Sequence, residues 1–135
     1  MLFDSWLVSR AATARIDGVI GASGLNAEEF AVYSVLAGTE GMTPTELAQW
    51  MVAPPTTVSS YVKRLERRGH VRRVPDPTDR RSHRVELTDL GRAAHRKAGE
   101  LFEPFLNSVN RRLGAGVTET HRRLRAMRRV LDQVD

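Results

Sequence analysis

Two short amphipathic helix patterns joined by a tight turn constrain the fold of this chain most. The first, TPTELAQWM, places Thr43 as a cap, Pro44 at the first helical position and Glu46 three residues after the cap, which is the pattern of a capping box. The second, PTTVSSYVKRLERRG, begins at Pro55 and ends at Gly69, and only a short turn separates the two. The spacing predicts a helix-turn-helix.

The second helix of this pair is predicted to have two contrasting faces. Its apolar positions recur at helical spacing and should be buried: Val58, Tyr61, Val62 and Leu65. The opposite side carries hydroxyls and cations, namely Thr56, Ser60, Lys63 and Arg67, flanked by Thr57, Ser59 and Arg64. Side chains of these types can meet base edges and phosphates in a major groove.

A β-hairpin is predicted directly after this helix. HVRRV and HRVEL are strand-like, and PDPTDRRS between them has the prolines and acids that favour a turn. Arg80 and Arg81 stand at the tip, where arginine suits the negative potential of a narrow minor groove. A helix-turn-helix followed by such a hairpin is a winged helix-turn-helix.

Further helices are predicted on both sides of this unit. Residues 3–20 are compatible with one helix, and Asn26 with Glu29 makes a capping-box pattern before the next. Thr88 is the expected cap of a long helix, and a last helix follows GAGVT. We therefore expect a mainly α fold with a small β-hairpin wing.

Positive charge is concentrated on the predicted helix-turn-helix and wing. The chain has a net charge of +5, and the segment from Lys63 to Arg84 alone holds nine cations against three acids. A basic run is most often a solvated face, but its position on a helix-turn-helix favours a polyanionic partner.

Several other function classes are excluded or disfavoured by composition. The chain has no cysteine, which excludes disulfides, thiolate metal sites and cysteine nucleophiles. Its four histidines share no ligand spacing, so we predict no metal site and no cofactor. Ser59 and Ser60 have no nearby histidine or glycine elbow, so we predict that the protein is not an enzyme. No signal peptide or membrane span is predicted, and the cytoplasm is the expected location.

The segment TPTELAQWM…PPTTVSSYVKRLERRGHVRRVPDPTDRRSHRVELTDLGR resembles the multiple-antibiotic-resistance regulator (MarR) family of bacterial transcription factors. The helix V-x-x-x-V-x-R-L-E-R-R-G, the wing D-P-x-D-R-R-S and the trailing L-T-x-x-G occur in the family's order and at its separations over residues 26–92. Within this pattern Pro54, Ser60 and His70 depart from the residue types usual at their positions.

The resemblance implies a homodimer on a palindromic double-stranded DNA operator. It implies a DNA-binding lobe at 26–91 and a helical dimerisation region at 1–25 and 92–135, in a single compact chain. The expected DNA contacts are Pro55, Thr56, Thr57, Ser59, Ser60, Lys63, Arg64, Asp79, Arg80 and Arg81. The family's wing element falls on Asp79, which would orient Arg81 into the minor groove. A small aromatic or phenolic acid is the implied effector, and it would release a repressor from DNA.

Two alternatives to this ligand-responsive regulator stay open at the level of sequence. One is a constitutive or architectural winged-helix protein that binds DNA without an effector. The other is an interaction module that has lost DNA binding, against which the hydroxyls and cations of the second helix count.

Overall fold

Residues 1–134, which the computed structural model describes, form six α-helices and one antiparallel hairpin. In chain order these are α1 (Leu2–Ile20), α2 (Ala27–Ala37), α3 (Pro44–Met51), α4 (Pro55–Arg67), β1 (Val71–Pro75), β2 (His83–Leu87), α5 (Asp89–Leu113) and α6 (Val117–Leu131). Short 3₁₀ turns at Gly21–Ser23 and Gly114–Gly116 follow α1 and α5. The predicted winged helix-turn-helix, mainly α with a small β wing, is confirmed.

Side-chain caps begin three of the helices, as the sequence patterns predict. The Asn26 side chain accepts a hydrogen bond from the backbone N–H of Glu29 at 2.8 Å, and Thr43 accepts one from that of Glu46 at 3.2 Å. In both cases the glutamate side chain accepts a bond from the cap backbone in return, which completes a capping box. At the start of α5, the Thr88 hydroxyl accepts from the Gly91 N–H at 3.1 Å.

The chain divides into two compact units, Met1–Phe102 and Glu103–Asp135. In the first unit, the end of α1, together with α2, α3, α4 and the hairpin, encloses one apolar core. Its largest fully buried side chains are Tyr33, Ile20, Leu36, Leu47, Leu65, Leu87, Val32, Val58, Val62 and Val85. Burying side chains of this size stabilises a fold by roughly 1.5–3 kcal/mol each, so this core fixes the orientation of α4.

The hairpin is joined to the helix-turn-helix by backbone hydrogen bonds. β1 and β2 pair from Val71↔Leu87 to Pro75↔His83. Met42, just before α3, adds an isolated bridge to Val85, with N–H···O distances of 3.0 and 2.7 Å. Strand β2 is therefore hydrogen-bonded both to β1 and to Met42, and this fixes the base of the wing.

The beginning of α5 lies against the segment that leaves α4. A Cβ at Gly91 would lie 2.1 Å from the His70 carbonyl oxygen, a separation that no side chain tolerates. The Thr88 hydroxyl also donates to the Gly69 carbonyl at 2.5 Å. The trailing L-T-x-x-G motif is thus the joint that closes the wing onto α4.

The second unit has little core of its own. No residue of α6 is buried. Large apolar side chains are exposed along the end of α5 and along α6, and they include Leu106, Val109, Leu113, Leu124, Val130 and Leu131. The functional division at 26–91 stays a prediction. No helix among residues 1–134 is both long enough and apolar enough to cross a membrane.

Candidate nucleic-acid interface

Helix α4 is built so that one side is fixed in the core and the other is in solvent. Pro54 is the N-cap, with extended backbone at φ −60° and ψ 146°, and Pro55 occupies the first turn, where the missing N–H is harmless. The four residues predicted to be buried are at most 6% exposed: Val58, Tyr61, Val62 and Leu65. The predicted contact residues of α4 are all exposed: Pro55, Thr56, Thr57, Ser59, Ser60, Lys63 and Arg64.

The hydroxyls on the exposed face of α4 have no hydrogen-bond partner among residues 1–134. Helical serines and threonines commonly donate to the carbonyl four residues earlier, and Thr13 and Ser34 do so in this chain, at 2.9 and 2.7 Å. No such bond occupies Ser59 or Ser60. The donors of this face are therefore available to an external acceptor.

The cations of α4 are not neutralised by the chain itself. Lys63, Arg64 and Arg67 form no ion pair with a carboxylate in the described part of the chain. The guanidinium carbon of Arg64 lies over the Tyr61 ring, 4.9 Å from its centroid, a cation–π contact that orients the group and does not neutralise its charge. The face combines free donors with free positive charge.

The other half of the basic segment has a structural role. Arg68 pairs with the buried Glu29 and donates to the Gly24 carbonyl at 2.9 Å. Further pairs join Arg72 to Glu86 at 2.6 Å, Arg73 to Glu66 at 2.6 Å and Arg84 to Asp76 at 3.4 Å. The basic cluster therefore divides into a paired set and an unpaired set. The unpaired set has no carboxylate partner within residues 1–134 and consists of Lys63, Arg64, Arg67, Arg80 and Arg81.

At the wing tip, Asp79 contacts the backbone of Arg81. Its Oδ1 accepts from the Arg81 N–H at 2.9 Å, and its carbonyl accepts from the Ser82 N–H at 3.1 Å. This is the local turn geometry that aspartate favours. Arg80 and Arg81 are exposed, and residues 1–134 contain no ion pair between Asp79 and the Arg81 guanidinium.

Asp76 organises the wing from inside and was not among the site residues predicted from sequence. It is 7% exposed, and its Oδ1 accepts from the Thr78 N–H at 3.0 Å, from the Thr78 hydroxyl at 2.9 Å and from Arg84 Nε at 3.4 Å. These bonds, the backbone one first, lower the pKa of Asp76 below its usual value. The D-P-T sequence is a signal for such a turn, because an aspartate bonds readily to the backbone two residues on.

The turn before α4 contains a strained residue. Val52 adopts a left-handed conformation at φ 53° and caps α3 through bonds to Ala48 and Gln49. Its side chain is 73% exposed. A β-branched residue in this conformation is an outlier, and no propensity in the sequence indicates it.

Residues 23–82 match the model of the MarR family. The predicted resemblance to the MarR family is confirmed over this segment. The matched segment holds α2, α3, α4, β1 and the wing turn, and it therefore includes every element of the candidate site. No group of three or more histidines and carboxylates that could hold a metal occurs within residues 1–134.

Two curated relatives match part of this chain. The transcriptional activatory protein BadR of Rhodopseudomonas palustris is 36% identical over 76 residues, which cover 54% of this chain and 43% of BadR. The HTH-type transcriptional regulator PecS of Dickeya dadantii is 33% identical over 90 residues, covering 64% of this chain and 52% of PecS. This chain therefore spans about half the length of these relatives.

A solved structure matches nearly the whole chain. The M. tuberculosis transcriptional regulator MosR, crystallised in complex with DNA, superimposes with a TM-score of 0.83 at 25% identity, over 98% of this chain and 96% of MosR.

Proposed function

We propose that this protein is a transcriptional regulator that binds double-stranded DNA in a sequence-specific manner, with α4 in the major groove and the wing in an adjacent minor groove. One observation carries the proposal: the exposed face of α4 combines unbonded hydroxyls with unpaired cations, while its other face is fully packed. A helix held in this way can enter a groove without losing contacts of its own.

Duplex DNA explains this surface better than an acidic protein does. Hydroxyls and amines at the start of a helix suit base edges, and the free cations further along suit phosphates. The MosR–DNA complex supports the proposal, because MosR shares the fold across the whole chain. The contacts are then Pro55, Thr56, Thr57, Ser59, Ser60, Lys63 and Arg64 on α4, with Asp79, Arg80 and Arg81 on the wing.

The wing roles divide between a shaping residue and a contacting residue. Arg81 enters the minor groove, and Asp79 aims it by fixing the Arg81 backbone N–H, one bond away from the Cα that carries the side chain. A fixed backbone reduces the freedom that the arginine loses on binding. This version of the aiming role needs no ion pair.

The functional unit is proposed to be a homodimer, with residues 26–91 as the DNA-binding lobe and 1–25 and 92–135 as the dimerisation region. The exposed apolar side chains at the end of α5 and along α6 support it, because leaving such a set in water is unfavourable. Two lobes related by a two-fold axis match an inverted repeat.

We also propose that the protein acts as a repressor that a small aromatic or phenolic acid releases from its operator. The match to the MarR family model supports this step, and a ligand acts only through a difference in affinity for the two states. A panel of such acids should raise thermal stability and lower operator affinity. If none does either, constitutive binding is the better description; a promoter–reporter assay separates repression from activation.

Selection of bound sequences from a random duplex pool tests the function itself. We expect an inverted repeat whose half-site centres lie about 10 base pairs apart. A matched selection with Lys63→Gln/Arg81→Gln should enrich the same repeat more weakly, because it removes charge and not base reading. A pool that shows no enrichment would contradict sequence-specific binding.

A further inference from the structure

One face of α6 carries a row of arginines that is not part of the proposed DNA contacts of α4 and the wing. Thr118, His121, Arg122, Arg125 and Arg129 line a shallow concavity of about 340 Å³ on the helix surface. Their spacings of three and four residues place them on one side of the helix. We call these five residues the arginine face of α6.

Two members of the arginine face are charged without compensation. Arg125 and Arg129 are exposed, one helical turn apart, and neither pairs with a carboxylate within residues 1–134. Like charges at this spacing destabilise a helix. A bound anion between the two guanidinium groups would relieve this repulsion.

A third member, Arg122, is paired with Glu119 of the same helix, which would compete with an external anion. Glu119 accepts from Arg122 Nε at 2.9 Å and Nη2 at 2.7 Å, and it also accepts from Arg123. One carboxylate therefore serves two guanidinium groups, and between residues 111 and 129 it is the only acid against seven arginines. Even when Glu119 is paired with Arg122, the arginine face keeps a net positive charge.

The chemistry of the arginine face fits phosphate. Every cation of α6 is an arginine, whose planar fork binds phosphate through two parallel bonds, whereas a lysine acts as a point charge. The apolar positions Leu124, Met127 and Leu131 fall on nearly the opposite side of the helix at 3.6 residues per turn. A helix lying in a bilayer surface on those residues would point the arginines away from the headgroups.

We propose that the arginine face of α6 binds the phosphate backbone of duplex DNA, as a second contact surface separate from α4 and the wing. It goes beyond the proposed function, because it needs no base recognition and would persist in a protein whose operator reading had been removed. Its contribution is electrostatic and sequence-independent.

The test uses the full chain with its first surface disabled by Lys63→Gln/Arg64→Gln/Arg80→Gln/Arg81→Gln. We expect this background to lose operator preference and to keep measurable, salt-sensitive affinity for a random-sequence duplex. Adding Arg125→Gln/Arg129→Gln should weaken that affinity about tenfold at moderate salt, since each lost phosphate contact removes about 0.9 from the salt slope. Glu119→Gln, which frees Arg122, should strengthen it.

Arg96→Gln/Lys97→Gln is the matched control, because it removes two exposed charges from α5. Equal losses in the control and the α6 pair would reduce the effect to bulk charge and overturn the proposal. A background variant with no affinity for duplex DNA would also overturn the proposal. The same holds if Arg125 and Arg129 matter only for binding to anionic vesicles or acidic proteins. If the background does not fold, the same pairs are compared in the wild-type chain, where the α6 pair alone should lower the salt slope by nearly two units. Failure of the proposed function would show separately, as a wild type without operator preference.

Discussion

The Asp79 side chain bonds to the backbone of Arg81, so the proposed aiming role can be tested more sharply than by charge alone. Because its Oδ1 accepts from the Arg81 N–H, the turn depends on an acceptor at this position and not on a negative charge. An asparagine side chain at the same position would offer the same acceptor through its amide oxygen, so Asp79→Asn separates turn geometry from electrostatics.

We predict that Arg81→Ala costs about 1–3 kcal/mol of operator affinity, the usual size for one well-placed arginine contact. Asp79→Ala should also weaken binding, although it raises the net charge, because the arginine then loses more freedom on entering the groove. Asp79→Asn should bind at least as well as wild type. Operator titrations in a double-mutant cycle measure these terms, and tighter binding by Asp79→Ala would show that Arg81 acts alone.

His70 stands where the family pattern has an aliphatic residue, and the structure gives it a partner. Its Nδ1 lies 2.7 Å from the Tyr33 hydroxyl, and its ring meets the Tyr33 ring edge-on. Burial, followed by the nearby Arg68, lowers the pKa of His70 below 6.5. Burial also raises the pKa of Tyr33 to about 12, so both rings are neutral at ordinary pH.

We therefore predict that acid weakens the fold through His70. As pH falls below 6.5 the unfolded chain takes up the proton before the folded chain does, so the free energy of unfolding decreases from that pH downward. Urea unfolding between about pH 8 and about pH 5 measures it. His70→Phe should reduce the dependence without abolishing it, because burial also lowers the pKa of His95, whereas His121→Phe, on an exposed helix face, should leave it steep. Identical profiles for the two variants would contradict the assignment.

At the level of elements, sequence predicted helix starts well because capping is local. Asn26 with Glu29 and Thr43 with Glu46 lie three residues apart, so the pattern and the bonds that it makes are read from one stretch. The face of α4 was predictable for the same reason. The split of the basic cluster was not, because its pairs join different elements of the fold: Arg73 of β1 pairs with Glu66 of α4, and Glu29 and Arg68 are 39 residues apart. Val52 was missed because its conformation opposes its own propensity.

The joint between α4 and α5 gives a matched pair of glycine variants on one helix. Gly91→Ala would put a Cβ 2.1 Å from the His70 carbonyl, whereas a Cβ at Gly99 meets nothing within 4 Å. Gly91→Ala should destabilise the protein by more than about 1–3 kcal/mol, the usual cost of an overpacked site. Gly99→Ala should stabilise it by roughly 0.5–1 kcal/mol through helix propensity. Chemical unfolding measures both, and a tolerated Gly91→Ala would contradict the close approach.

For the whole molecule, the exposed apolar residues predict association. Leu124 and Leu131 are 49% and 53% exposed in the single chain, and covering the exposed half of each would contribute roughly 0.8–1.5 kcal/mol. Sedimentation should therefore find a dimer at micromolar concentration, and Leu124→Ser/Leu131→Ser should shift it toward monomer. A wild-type chain that stays a folded monomer would contradict the proposed dimerisation region.

The account as a whole depends on α4 reading bases, and paired operator and random-duplex titrations test that most directly. Thr56→Val/Ser60→Ala removes two unbonded hydroxyls from the exposed face, whereas Lys63→Gln removes a charge from the same face. We predict that the hydroxyl variant loses about 1–3 kcal/mol on the selected operator for each base contact removed and nothing on random duplex. Lys63→Gln should weaken binding to both duplexes about equally and lower the salt slope by about one unit. If the hydroxyl variant kept full operator preference, or lost affinity equally for both duplexes, the claim that this face reads sequence would be wrong.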